Sequence, residues 1–246
     1  DSLKKFCPAL NWDLYFGETG LNVVNEIIVA QPIFFKEIQN LLKKVPLDEW
    51  KIYLQWHLIH NSASKLSPDF ENENFRFYGT ILTGQRKIKP RWERSLNVIN
   101  GALGEVLGQE FVKVAFSEES KKRVNEMVDN LLAVFETRLK NLDWMSDETK
   151  KQAIIKLSKI SRKMGYPDQW RDYSALNIER DSYIMNFFRG NEFDFNRNIA
   201  KLGKPIDKTE WLIPPQTVNA FYNPLMNEIT FPAGILQPPF FNPDAD

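Results

Sequence analysis

At 246 residues, with 43% hydrophobic, 13% aromatic and 26% charged side chains, the sequence is that of a globular protein of one large or two ordinary domains, neither disordered nor fibrous. Its 32 Lys+Arg balance 32 Asp+Glu, which leaves no electrostatic reason to expect nucleic acid or an anionic membrane as partner. The single cysteine, Cys7, rules out an intrachain disulfide; beside Pro8 and without a nearby histidine it reads as a small buried hydrophobe rather than a nucleophile.

No run of 18 apolar residues occurs, so no stretch reads as a transmembrane helix. The opening "DSLKKF" has neither an initiator Met nor the apolar core of a signal peptide, and reads as starting inside something longer. A Gly17/Gly20 loop precedes the β-prone run Val23 to Val29, expected to be a short strand. Pro32 stands at the first turn of a helix in which Phe34, Ile38, Leu41 and Leu42 recur at helical spacing, and Pro46 ends it. A second helix follows, with Asp48 and Glu49 in its first turn and Ile52, Trp56 and Ile59 along one face.

"SPDFENENF" reads as a loop leading into a helical stretch through Phe77, Ile81 and Leu82. The strongest helical pattern runs from about Ser117 to Leu142, where Val124, Val128, Leu131, Leu132, Phe135, Leu139 and Leu142 form an apolar stripe. Ser146 caps the next helix, which Gly165 and Pro167 are expected to close. After an irregular link and one more helix to about residue 200, the character changes near Pro205. Two β-prone runs, 217–222 and 228–232, flank the turn-forming "NPLMN" and predict a hairpin too small to stand without a sheet to join. Residues 32 to about 200 thus read as a mainly α domain.

The pair His57 and His60 invites a metal reading, because H-x-x-H brings two rings to one side of a helix. A catalytic zinc needs a third protein ligand, none follows at a recognisable spacing, and ordinary packed histidines are the expectation. No phosphate-binding glycine loop, dinucleotide fingerprint or serine nucleophile elbow is present, and the acidic pairs sit at helix starts where the macrodipole accounts for them.

The segment "VNAFYNPLMNEITFPAGILQPPFF" resembles, nearly residue for residue, the stretch that precedes the zinc motif in the neprilysin and endothelin-converting-enzyme family of zinc metallopeptidases, bacterial endopeptidase O among them. "LNW", "RWERSLNVINGALGEVLGQEFVKVAF", "SKKRVNEMVDNLL", "LDWMSDETKKQAIIKLSKI" and "MGYPDQWRDYSAL" resemble the same family in the same order, so that nearly the whole chain is covered. The resemblance implies a mainly α fold: a helical covering lobe at 32–200, with 1–31 and 205–246 supplying a connection, short strands and a β-hairpin of a thermolysin-like catalytic lobe. It implies zinc-dependent hydrolysis of oligopeptides, with the hairpin edge accepting the substrate as an added strand. The family's backbone-binding "NA" falls on Asn219 and Ala220. The family's H-E-x-x-H helix is expected shortly after "PPFF", and the sequence stops at Asp246 before it. The chain alone is therefore expected to hold no catalytic zinc and to be inactive, needing the remaining catalytic half of the protein as partner. "QPPFFNPDAD" would then be an extended, severed connection whose Phe240 and Phe241 the missing half would bury. The alternative is a non-catalytic helical peptide-binding module. Cysteine scarcity resembles the bacterial rather than the disulfide-rich animal members and implies a periplasmic or exported location, with the cytoplasm as alternative.

Overall fold

The computed structural model describes residues 2–245. The fold is mainly α with one three-stranded sheet, and its internal contacts divide it into two compact units: Asp1–Pro90 with Leu176–Pro205, and Arg91–Ala175 with Ile206–Asp246. Residues before 32 thus share a unit with the helices that follow them, while the helices between Arg91 and Ala175 share a unit with the hairpin.

The first unit begins with α1 (Ser2–Phe6), α2 (Trp12–Glu18), α3 (Pro32–Lys44) and α4 (Leu47–Ser62). Its small core gathers Leu3, Cys7 and Trp12, with Phe16, Val29, Phe35, Ile38 and Leu42 packed against them. Cys7 is completely buried, as the sequence implied, and its carbonyl accepts the indole N–H of Trp12 at 2.8 Å. The run Val23 to Val29 is not a strand: β propensity alone cannot hold an extended segment that finds no neighbour for its backbone, and here only Val29 reaches the core. The expected loop at 67–75 is instead a helix, α5 (Pro68–Asn74), begun by Pro68 at its first position and Asp69 and Glu71 in its first turn. It continues into a π-helical stretch, Phe75–Ile81, where Gly79 lies under the Phe75 ring.

The second unit contains α6 (Arg91–Ala102), α7 (Gly104–Ala115), α8 (Glu118–Lys140), α9 (Asp147–Ser158) and β1 (Ser161–Gly165). Ser146 caps α9 as expected and Ser117 caps α8 in the same way, their hydroxyls accepting from Thr149 N at 3.3 Å and Ser120 N at 3.1 Å. Helix α9 ends at Ser158, earlier than Gly165. The residues between turn into a strand because β3, far along the chain, is there to receive them. The first unit is completed by α10 (Tyr183–Ile199), and the second by β2 (Phe221–Asn223) and β3 (Glu228–Pro232).

Strand order is β1-β3-β2: β3 lies between a parallel partner, with Ser161 opposite Glu228, and an antiparallel one, with Phe221 opposite Thr230. The hairpin thus forms and joins a sheet, but its first strand spans only 221–223 rather than 217–222. Beneath the sheet Phe116, Val124, Val128, Met164, Ala233, Leu236 and Phe241 make the core. The end of the chain also departs from expectation. Phe241 is packed into this core at 9% exposure, while Phe240 is 77% exposed. The stretch after Leu236 turns back on itself rather than running extended, with Phe240 N and Phe241 N both donating to the Gln237 carbonyl. Gln237 itself donates to the carbonyls of Ala115 and Ala233.

Candidate functional site

Strands alternate their side chains between faces, and in this sheet the two faces differ in chemistry. Met164, Ile229 and Phe231 point into the core. Lys163 and Glu228 meet on the opposite face as a salt bridge of 2.8 Å, at 8% and 1% side-chain exposure. Lys163 Nζ also donates to the Glu210 carbonyl at 2.6 Å, and the hydroxyls of Ser161 and Thr230 stand 3.3 and 3.4 Å from the Glu228 carboxylate. A polar cavity adjoins this pair, lined by Lys121, Tyr166, Asp168, Lys208 and Trp211 among others. Burial pushes the Tyr166 phenol above its ordinary value, with the charges of Glu118 and Asp168 adding to the effect. Hydrogen bonds from Thr209 hold Asp207 below the usual carboxylate range.

With β3 in the middle, β2 is an edge strand whose outer backbone groups have no partner strand among the described residues. Such an edge is a template for an added strand. Its hairpin turn is held from behind: Asn227, in the left-handed region at φ 47, donates through Nδ2 to the Lys156 carbonyl at the end of α9 and accepts the Tyr222 hydroxyl at 3.0 Å.

Asn219 and Ala220 lie exposed immediately before β2, outside the strand. Asn219 N donates to the Thr217 carbonyl at 3.1 Å, a tight local turn that takes the chain out of the ladder. The Asn219 side-chain oxygen accepts the Ala220 N–H at 2.8 Å. The structure thus presents the two residues together at the open end of the edge.

The histidines are elsewhere and are occupied. His60 stacks on Trp56 at 5.0 Å and lies 4.5 Å from the Tyr78 ring, while Asn74 Nδ2 donates to its Nδ1. His57 meets the edges of Tyr53 and Trp56. Among the described residues no three His, Cys, Asp or Glu side chains gather in a group that could hold a metal ion. The described residues therefore offer no donor set that fits a catalytic zinc.

Two features of the site were not read from the sequence. The Lys163–Glu228 pair joins residues 65 positions apart and leaves no local signal. The glycines Gly104 and Gly108, four apart on α7, did carry one, since small residues at that spacing mark a close approach to a helix. They face Pro214, Pro215 and Gln216.

The fold is shared with proteins of known structure, a zinc metalloprotease among them. The zinc metalloprotease Zmp1 of Mycobacterium tuberculosis, in its open state, superimposes with a TM-score of 0.90 at 39% identity, over 99% of this chain and 38% of that one. PepO of Lactobacillus rhamnosis superimposes with a TM-score of 0.74 at 26% identity, over 100% of this chain and 42% of that one. Neprilysin-3 of Drosophila melanogaster is 33% identical over 98% of this chain and 33% of its own length. Two family models, both described as peptidase family M13, match residues 1–167 and 219–246. The chain belongs to peptidase family M13. It spans about a third of the length of the curated relatives it matches. Among the described residues no helix is long and apolar enough to cross a membrane.

Proposed function

We propose that this chain is part of a zinc-dependent metalloendopeptidase that hydrolyses oligopeptides, in which it supplies the substrate-accepting edge and a helical cover. In this reading residues 32–200 form the covering lobe, and 1–31 with 205–246 belong to a thermolysin-like catalytic lobe. An extended peptide lies along β2; the Asn219 side-chain amide and the Ala220 main chain hold its backbone, and the methyl group of Ala220 lets it come close. The zinc supplies the Lewis acid and the activated water. Its ligands come from the rest of the enzyme, because no group of side chains described here suits it. The chain's likeness to the cysteine-poor bacterial members favours a periplasmic or exported location, with the cytoplasm as the alternative.

The observation that carries this reading is the free edge of β2 with Asn219 and Ala220 exposed at its start. Its test is steady-state cleavage of a fluorogenic oligopeptide by the full-length peptidase that contains this chain. Replacing Asn219 with Ala removes one or two backbone hydrogen bonds, each about 1 kcal/mol net, and is expected to lower kcat/KM by about tenfold or somewhat more. Unchanged kcat/KM would remove Asn219 from the substrate site.

A further inference from the structure

Residues 214–219 deliver Asn219 and Ala220 to the edge, yet they belong to no helix or strand. What fixes their position is a set of close approaches. Gly234 N donates to the Pro215 carbonyl at 2.8 Å, and Thr217 N to the Pro214 carbonyl at 3.0 Å. A Cβ on Gly234 would stand 2.6 Å from the Gln216 carbonyl oxygen and 2.7 Å from that of Thr217, contacts with backbone that cannot move aside. On the other side, a Cβ on Gly108 would come within 2.8 Å of Pro215, and one on Gly104 within 3.1 Å of Pro214. Since neither Gly104, Gly108 nor Gly234 has a positive φ, all three serve as space rather than as turn formers.

Gln216 sits at the centre of this seat. Its Nε2 donates to the Gly104 carbonyl at 2.9 Å and to the Asn100 side-chain oxygen, tying the strut to α6 and α7 at once. Its Oε1 faces Gly108 and is buried with no hydrogen-bond partner among the described residues. A buried carbonyl left unpaired costs stability; an apolar side chain of the same length would relieve that cost but take the donor from the Gly104 carbonyl and the Asn100 side-chain oxygen, so that the two effects oppose each other in stability. The demand that Gln216 meets is directional: two hydrogen bonds fix the height and rotation of a strut that runs on through Val218 into the exposed Asn219 and Ala220.

We propose that Gln216 is a positioning residue for the peptide-binding edge, setting Asn219 and Ala220 through the bonds to Asn100 and Gly104; this rests on the edge reading proposed above. The test is a split between stability and kinetics in the full-length peptidase. Gln216→Met keeps length and packing and removes both donors. The melting temperature is expected to shift by no more than a few degrees, kcat to stay near its original value, and KM for an extended peptide to rise about tenfold, because a small misplacement of binding groups weakens every contact they make. A KM unchanged by Gln216→Met, measured beside an Asn219→Ala variant whose KM does rise, would overturn the positioning role and leave the edge reading intact. An unchanged KM in both variants would overturn both. A second pair carries the test if Gln216→Met does not fold: Asn100→Asp keeps the acceptor and should keep KM low, whereas Asn100→Leu removes it and should raise KM. Equal KM values in those two would overturn the proposal.

Discussion

Lys163→Met removes one partner of the buried pair and leaves the other in place. At 2.8 Å the two charges attract by about 6 kcal/mol at an effective dielectric of about 20, and most of that is offset by taking both ions out of water. The pair is therefore of small net worth, but its halves are not independent. With Lys163 gone, Glu228 keeps a buried charge whose nearest side-chain hydroxyls stand at 3.3 and 3.4 Å, too far to replace an ammonium. The expected loss is about 3–5 kcal/mol, and the double change Lys163→Met with Glu228→Leu should recover most of it. Urea unfolding followed by tryptophan fluorescence reads both, since Trp211 is buried and lines the same cavity. A single variant that loses less than about 1 kcal/mol would mean that water reaches Glu228, and the argument from burial would fail.

Phe116→Ala should cost about 3–5 kcal/mol in the same assay, because its ring is buried against Phe241, Tyr166 and the backbone of Gly165; a loss under about 1.5 kcal/mol would show that this core collapses around the gap. In the first unit, bonds from Arg189 hold the Asp181 carboxyl well below its ordinary value of 3.8. A depressed carboxyl stabilises the fold above its unfolded pKa and ceases to do so as pH falls through the folded one. Hydrogen exchange at Asn186 N, in the first turn of α10, should therefore quicken relative to other helical amides at about pH 2 compared with about pH 5. An unaltered relative rate would refute the role given to the Arg189–Asp181 contact.

How much could be read beforehand depended on how far apart the partners lie. Helix α8 and the cap Ser146 were legible because the stripe, and the cap with its first turn, each lie within a few residues. The same local logic misread "KISRKMG" as the tail of α9, since β1 exists only through β3, 67 residues further on. Val23 to Val29 failed in the opposite sense, with strand-forming side chains and no strand beside them. At the candidate site, Asn219 and Ala220 were legible only by resemblance, and the turn at Thr217 that lifts them out of the strand was not foreseen. Gln216 was invisible, because its partners Asn100 and Gly104 lie 116 and 112 residues away.

The central position of β3 also orders events in time. Its hairpin partner closes over a short turn, but β1 must be brought across a loop of 67 residues, and the entropy of that closure comes before any contact offsets it. A two-stranded hairpin is marginal by itself, so β2 stays unformed until this long-range pairing is made. The open edge is consequently among the last surfaces to mature. A nascent chain thus passes most of its folding without displaying a finished template to which a neighbouring, still unfolded copy could add.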